Sequence, residues 1–371
     1  MAKTKTTKKE KAFKSILRKE DITFLEKYIN NASPTGFESE GQKIWLNYLK
    51  PYIDTHLVDN YGSVVGIINP QASFKIVIEA HADEIGWYIS HITDDGLMHV
   101  IRNGGSDHLL APSKWVNIHT KKGFIPAYFG WPAIHTRKSG KEDKPEVNNI
   151  FLDCGARSKK EVEKMGIHIG NVVTYQDTFH HLTNRYFVGR ALDNRIGGFM
   201  ISQVARLLFE RKKKLPFGLY IVNAVQEEVG LNGAKMIAES IKPNVAIVTD
   251  VAHDTSTPLI NKRELGDYKC GAGPILTYAP AVHNKLLNMI IETAEKNKIP
   301  FQREASSRST GTDTDAFAFS AGGIPSALIS LPLRYMHTTV ETVDQHDVEN
   351  VIELIYECLL KLDPKFNFKY L

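Results

Sequence analysis

The chain has 371 residues, 42% of them hydrophobic, which is enough to bury a sizeable core and more than one average domain occupies. Its formal charge is +4, yet the first nineteen residues carry eight Lys/Arg against Glu10, or +7, so the remainder stands at −3. This argues against a nucleic-acid protein, which spreads basic charge over a folded face; here Lys3 to Lys11 form a polar leader (residues 1–19 in all) expected to be solvated and frayed.

No apolar segment follows the lysines as in a secretory signal, and no stretch reaches the length of a membrane span, so a cytoplasmic protein without membrane or nucleic-acid partners is expected. Cys154, Cys270 and Cys358 are odd in number and scattered. That pattern argues against a disulfide framework and a thiolate metal site, leaving oxygen and imidazole as the available ligands.

Glu20 to Leu49 reads as a helix opened by Asp21 as its cap, a Pro/Gly break around Pro34 and Gly36, and a second helix. Val58 to Ile68 reads as a hairpin, and Lys75 to Ala80 as a short buried strand that delivers His81 and Asp83 at its end. From Trp87 to Val188 the texture changes to short β-like runs such as Trp115 to His119, Gly123 to Phe129 and Asn171 to Tyr175, with one helix over Ser158 to Met165. Helices such as Phe199 to Lys213 then alternate again with apolar runs at Leu219 to Ala224, Val245 to Thr249 and Ala327 to Ser330. The expected fold is α/β: an outer catalytic domain (20–87 and 189–371) with helices on its sheet, interrupted by a mostly β insert (88–188). The glycine pairs Gly104-Gly105 and Gly197-Gly198 make no phosphate loop and read as turns or close backbone approaches.

Acid and histidine clusters sit at the ends of the apolar runs: His81-Ala82-Asp83-Glu84, Leu192-Asp193-Asn194, Gln226-Glu227-Glu228, Thr249-Asp250 and Tyr335-Met336-His337. Two adjacent carboxylates at a buried strand end must be paired, protonated or bound to a cation. His81, His337, Asp193, Glu228 and Asp250 supply five ligands, enough for two divalent ions sharing one carboxylate. Glu227 is left over and suits a general base, while Asp83 is placed to accept the second N–H of the His81 imidazole.

The motifs Ala80-His81-Ala82-Asp83-Glu84-Ile85-Gly86, Arg190-Ala191-Leu192-Asp193-Asn194-Arg195, Gln226-Glu227-Glu228-Val229-Gly230 and Arg334-Tyr335-Met336-His337 resemble those of the M42 family of dinuclear metallo-aminopeptidases, the glutamyl, deblocking and tetrahedral aminopeptidases. The resemblance runs from about Leu25 to Ile355. It implies that His81 and His337 each cap one metal, that Asp193 bridges the two, that Glu228 and Asp250 complete them, and that Glu227 is the acid/base. It also implies a three-layer helix-sheet-helix catalytic domain and a barrel-like insert that pairs subunits, with dimers assembling into dodecamers. Ala82 stands where the family often has Met, and Thr338-Thr339 replaces Ser-Pro. Either Asp313 or Asp315 of the Gly311-Thr312-Asp313-Thr314-Asp315 run is expected to line the site.

The expected activity is hydrolysis of the first peptide bond of short peptides with a free amino terminus, by two zinc or cobalt ions, or manganese, bridged by a hydroxide. A carboxypeptidase or N-acyl-amino-acid deacylase is the alternative among dinuclear hydrolases. A glucanase would need two carboxylates and no metal, and a non-catalytic module would be expected to have lost a ligand. Trp115, Phe124, Tyr128, Phe129 and Trp131 are more aromatic surface than so small an insert is expected to bury, which marks it as the self-association surface.

Overall fold

Residues 15–137, 140 and 143–371 are described by a computed structural model of the chain. Residues 1–14, with most of the basic leader, lie outside the described residues. Residues 15–18, grouped with the leader by charge, are tied to the body: Ser15 Oγ and the Ile16 N–H donate to Glu349, and Arg18 pairs with Asp21 and Glu210. Helix α1 (Lys19–Asn30) is capped by Arg18. Asp21 sits inside the first turn rather than at the cap, and its carboxylate accepts the Arg18 N–H from there.

The elements before the insert follow the periodicity. Helix α2 (Ser39–Leu49) precedes the hairpin of β1 (Thr55–Val58) and β2 (Val64–Ile68), and β3 (Lys75–His81) is buried from Ile76 onward. The insert contains β4 (Gly86–Ile92), β5 (Met98–Asn103), β6 (Trp115–Thr120), β7 (Gly123–Gly130), β8 (Phe151–Asp153), α3 (Lys159–Lys164) and β9 (Val172–Tyr175), whose strands close a barrel in the order β4-β5-β8-β7-β6-β9. Alternation along β6 and β7 turns Val116, Ile118, Ala127 and Phe129 into a core separate from the main one. Phe129 packs edge-on against Trp87, while Trp115, Phe124 and Tyr128 face outward and Trp131 is half-buried.

After the barrel come β10 (His180–Leu182), β11 (Tyr186–Gly189) and α4 (Leu192–Glu210). Then β12 (Gly218–Ala224), α5 (Asn232–Ile241), β13 (Val245–His253), α6 (Lys262–Leu265), β14 (Ile275–Tyr278), α7 (Asn284–Asn297), β15 (Gln302–Ala305), α8 (Asp313–Ala318), β16 (Ser326–Leu333), β17 (Glu341–Asp344) and α9 (Gln345–Lys361) complete the chain. The main sheet runs β1-β2-β12-β3-β13-β16-β14-β15, with β12, β3, β13 and β16 parallel at its centre. Helices cover both faces, making the three layers that a parallel sheet requires. Burying Ile76, Val77 and Ile78 completely contributes about 1.5–3 kcal/mol each.

Two of the boundaries that differ from the sequence reading bear on the site. Helix α4 begins at Leu192, seven residues before the expected Phe199; its first turn is kinked, with Asp193 and Asn194 off helical φ/ψ, and Gly197-Gly198 interrupts the apolar period that would have marked it. Those glycines let α4 lie directly on the sheet: a Cβ on Gly197 would stand 2.8 Å from Ala80 Cβ, and one on Gly198 2.7 Å from Asn223 Oδ1. The helix start, with Asp193, is thereby brought over the end of β3. Strand β13 likewise runs on to His253, so Asp250 belongs to the strand itself rather than following it. Among the described residues no helix is long and apolar enough to cross a membrane.

Candidate metal centre

His81 closes β3, Asp250 lies on the adjacent β13, and Glu227 and Glu228 occupy the turn that follows β12 on the other side. His337 comes from the loop after β16, and Asp193 from the first turn of α4. All six line one cleft of about 620 Å³. Parallel strands put their carboxyl ends on one edge of the sheet, which is why segments so far apart in sequence converge there.

The Asp193 carboxylate stands between the two imidazoles. Its Oδ1 is 3.2 Å from His81 Nε2, and its Oδ2 is 3.3 Å from His337 Nε2. Asp250 Oδ1 approaches His81 Nε2 at 3.8 Å, and Glu228 Oε2 approaches His337 Nε2 at 3.6 Å. Glu227 Oε2 also comes within 3.8 Å of His81 Nε2. Ligand atoms of His81, Asp193 and Glu228 lie within 4.8 Å of one another, as do those of His81, Glu227 and Asp250. The donor set is oxygen and imidazole nitrogen, which suits a borderline divalent ion.

Electrostatics reinforce that fit. Burial works against a charged His81, but Glu227, Asp193, Asp83 and Asp250 hold its pKa well above the ordinary value. Burial likewise works against an ionised Asp193, and the two imidazoles overcome it and hold the carboxyl below the usual range. Burial, reinforced by neighbouring carboxylates, pushes Glu227 up to about 9 and Asp250 to about 7. Carboxylates packed this closely ionise together only with compensating positive charge among them.

Asp83 sits behind the centre rather than in the cleft. Its carboxylate accepts the Glu227 N–H at 3.0 Å, the Glu228 N–H at 3.2 Å and the Thr35 hydroxyl at 2.8 Å. It lies 3.4 Å from His81 Nδ1, beside that nitrogen but outside hydrogen-bond geometry. Its closest work is therefore to hold the turn that presents the two glutamates. Of the two aspartates left open by sequence, Asp315 lines the cleft, while Asp313 is buried behind it beside Glu79. Burial pushes Glu79 up to about 8.

Several residues at the centre escaped the sequence reading. Glu341 accepts the His337 N–H at 2.8 Å with one oxygen and the Asp193 N–H at 2.9 Å with the other, tying two separate segments to one buried carboxyl. Gly105, in the loop after β5 of the barrel, accepts from His337 Nδ1 at 3.2 Å, which leaves Nε2 free toward Asp193 and Glu228. A Cβ on Gly105 would stand 2.6 Å from the His337 ring. An acid four residues past the histidine and a glycine pair in the insert were the only signals, and neither is distinctive without the fold.

The model of the M42 glutamyl aminopeptidase family matches residues 62–354. This chain belongs to the M42 peptidase family. A lysyl aminopeptidase of Pyrococcus furiosus is 33% identical over 347 residues, 93% of this M42 chain and 98% of that protein. The solved TET aminopeptidase of a marine sediment Thaumarchaeota archaeon superposes with a TM-score of 0.89 at 30% identity, covering 93% of this chain and 97% of that one. A Pyrococcus horikoshii TET1 peptidase, which can assemble into a tetrahedron or a large octahedral shell, matches with a TM-score of 0.79 at 27% identity over 91% of this chain and 98% of its own. The expected enzyme class, a peptide-bond hydrolase of the aminopeptidase type, is that of the family.

Proposed function

We propose that this M42 peptidase is a dinuclear, metal-dependent aminopeptidase that removes the first residue of short peptides. The observation that carries the reading is the Asp193 carboxylate set between His81 and His337, each imidazole with its own further carboxylate, Asp250 or Glu228. One ion would be held by His81, Asp193 and Asp250 and the other by His337, Asp193 and Glu228, with zinc, cobalt or manganese as candidates. Bound there, such ions supply Lewis-acid polarisation of the scissile carbonyl and lower the pKa of water.

The chain's own residues do the rest. Glu227 is in this reading the base that takes a proton from the attacking water and returns it to the leaving amine. Burial and neighbouring carboxylates raise its pKa in the metal-free chain, and cations held beside it would lower it again toward a carboxylate able to accept that proton. Asp83 keeps Glu227 and Glu228 in register by accepting both backbone N–H groups. Outside the proposed ligands and Glu227 the cleft is lined by two further acids, Glu304 and Asp315, which favours a positively charged amino terminus over a free carboxylate.

Outward-facing Trp115, Phe124 and Tyr128 on the barrel support it as a self-association surface, with dimers building a larger shell as the expected assembly. The free cysteines Cys154, Cys270 and Cys358 fit a reducing, cytoplasmic setting.

The deciding experiment compares dipeptides blocked at the amino or the carboxyl end, with the metal-loaded enzyme and after chelation. Loss of cleavage on amino blocking and on chelation is expected. Cleavage that survives amino blocking but not carboxyl blocking would make the enzyme a carboxypeptidase.

A further inference from the structure

Beyond the metal centre, the cleft has a second chemical character. Its walls include the apolar side chains of Leu231, Leu328 and Met336, and two further acids, Glu304 and Asp315; among the described residues no lysine or arginine lines it. The two acids are not equivalent. Both Asp315 oxygens are taken by the backbone: Oδ1 accepts from Thr310 N–H and Oδ2 from Thr310 and Gly311 N–H, so this carboxylate serves to fold the rim of the cleft.

Glu304 is differently placed. On β15, alternation sends Arg303 to one face, where it stacks over Phe301 and reaches toward Glu295, and Glu304 to the other, into the cleft. Its Oε2 accepts the Thr277 hydroxyl at 2.7 Å from the paired residue of β14. Among the described residues no Lys or Arg forms an ion pair with it. Glu304 is half-buried, so it is part-shielded from water yet keeps an oxygen available.

We propose that Glu304 selects substrates whose first residue carries a cationic side chain, lysine or arginine, and disfavours an acidic one. The claim rests on the aminopeptidase reading above and adds its substrate class. An aliphatic stem would pack along Leu231, Leu328 and Met336, and the terminal cation would meet the Glu304 carboxylate at the wall. An acidic side chain would face the same carboxylate as a like charge, with no cation on the wall to offset it.

The metal-loaded full chain is assayed with the coumarylamides of lysine, arginine, norleucine and glutamate, norleucine being the lysine stem without its charge. Lysine is expected to exceed norleucine in kcat/KM on the order of 10- to 100-fold, the range for a hydrogen bond to a charged group. Glu304→Gln should collapse that ratio through KM, and Glu304→Lys should turn the preference toward glutamate. Calorimetry with L-lysinamide and L-norleucinamide gives a second readout, in which the lysinamide advantage falls in Glu304→Gln. Norleucine or glutamate cleaved better than lysine by the unaltered chain, or a ratio indifferent to Glu304→Gln, overturns the proposal. If no coumarylamide is cleaved, the aminopeptidase reading fails instead, and the calorimetric preference still decides the role of Glu304.

Discussion

The two halves of the candidate metal centre are built in different ways. His81 is the last residue of a strand held between two parallel neighbours, 1% exposed, with Asp250 on the next strand. His337 sits on a loop in the left-handed region, φ +60°, with its side chain 32% exposed. Its position depends on Gly105 from the barrel and on Glu341 at the start of β17. The sheet itself fixes the first half, whereas three separate segments must meet to form the second. Changes remote from the ligands should therefore be felt mainly on the His337 side.

The most damaging change should be Asp193→Ala, because that carboxylate serves both halves. Both ions and nearly all activity should be lost, as read by elemental analysis of the purified protein. A variant that keeps one ion at full occupancy would show that the halves are independent and that Asp193 is no bridge.

Next comes Glu227→Gln, which should retain two ions and lower turnover by on the order of 10²–10⁴. Glu227 is also within 3.8 Å of His81 Nε2, so the metal count is the sensitive measurement. If occupancy falls with activity, Glu227 is a ligand of the His81 half.

Gly105→Ala touches no proposed ligand atom directly, yet its Cβ would collide with the His337 ring. Displacing a group that orients a ligand weakens metal binding by about 10- to 100-fold. Titration should show that loss for one ion only, and equal weakening of both would erase the distinction between the halves.

The smallest effect concerns acid. Asp254 accepts from Cys270 N–H, Ser256 and Arg334 Nε, tying the loop after β13 to the segment that leads into His337. Burial alone would raise its pKa, but these donors win and lower it to about 2. A depressed folded pKa means that the stabilisation is complete above the unfolded value of 3.8 and is lost as pH falls toward about 2. Urea unfolding of the metal-free protein across that window should show a steeper acid loss than Asp254→Asn does. Identical slopes would remove Asp254 as the cause.

Much of this was legible in the sequence for a physical reason. The residues of the His81 half end or follow apolar runs, and a run of Val and Ile bounded by acids reads as a buried strand delivering charge at its end. The His337 half was legible only in its proposed ligands. Gly105 and Glu341 act through proximity made by the fold, and no local pattern marks a glycine whose carbonyl will meet a histidine 232 residues away. The early start of α4 was hidden because Asp193 and Asn194 suspend the helical geometry where the period should begin. Glu304 escaped because an acid on a short, polar edge strand looks like ordinary surface until the cleft is seen behind it.

The order of strands in the main sheet also carries a consequence for synthesis. Both neighbours of β3 are made after the barrel, and Glu227 meets Asp83 across 144 residues of chain. While the polypeptide emerges, the barrel strands can pair among themselves, but β3 waits with two unpaired apolar edges, the kind of surface that invites association with other chains. Closing so long a loop is slow relative to local pairing. The centre therefore stays unassembled until the chain has been made through His337, and a ribosome-bound peptidase cannot cut the nascent chains around it.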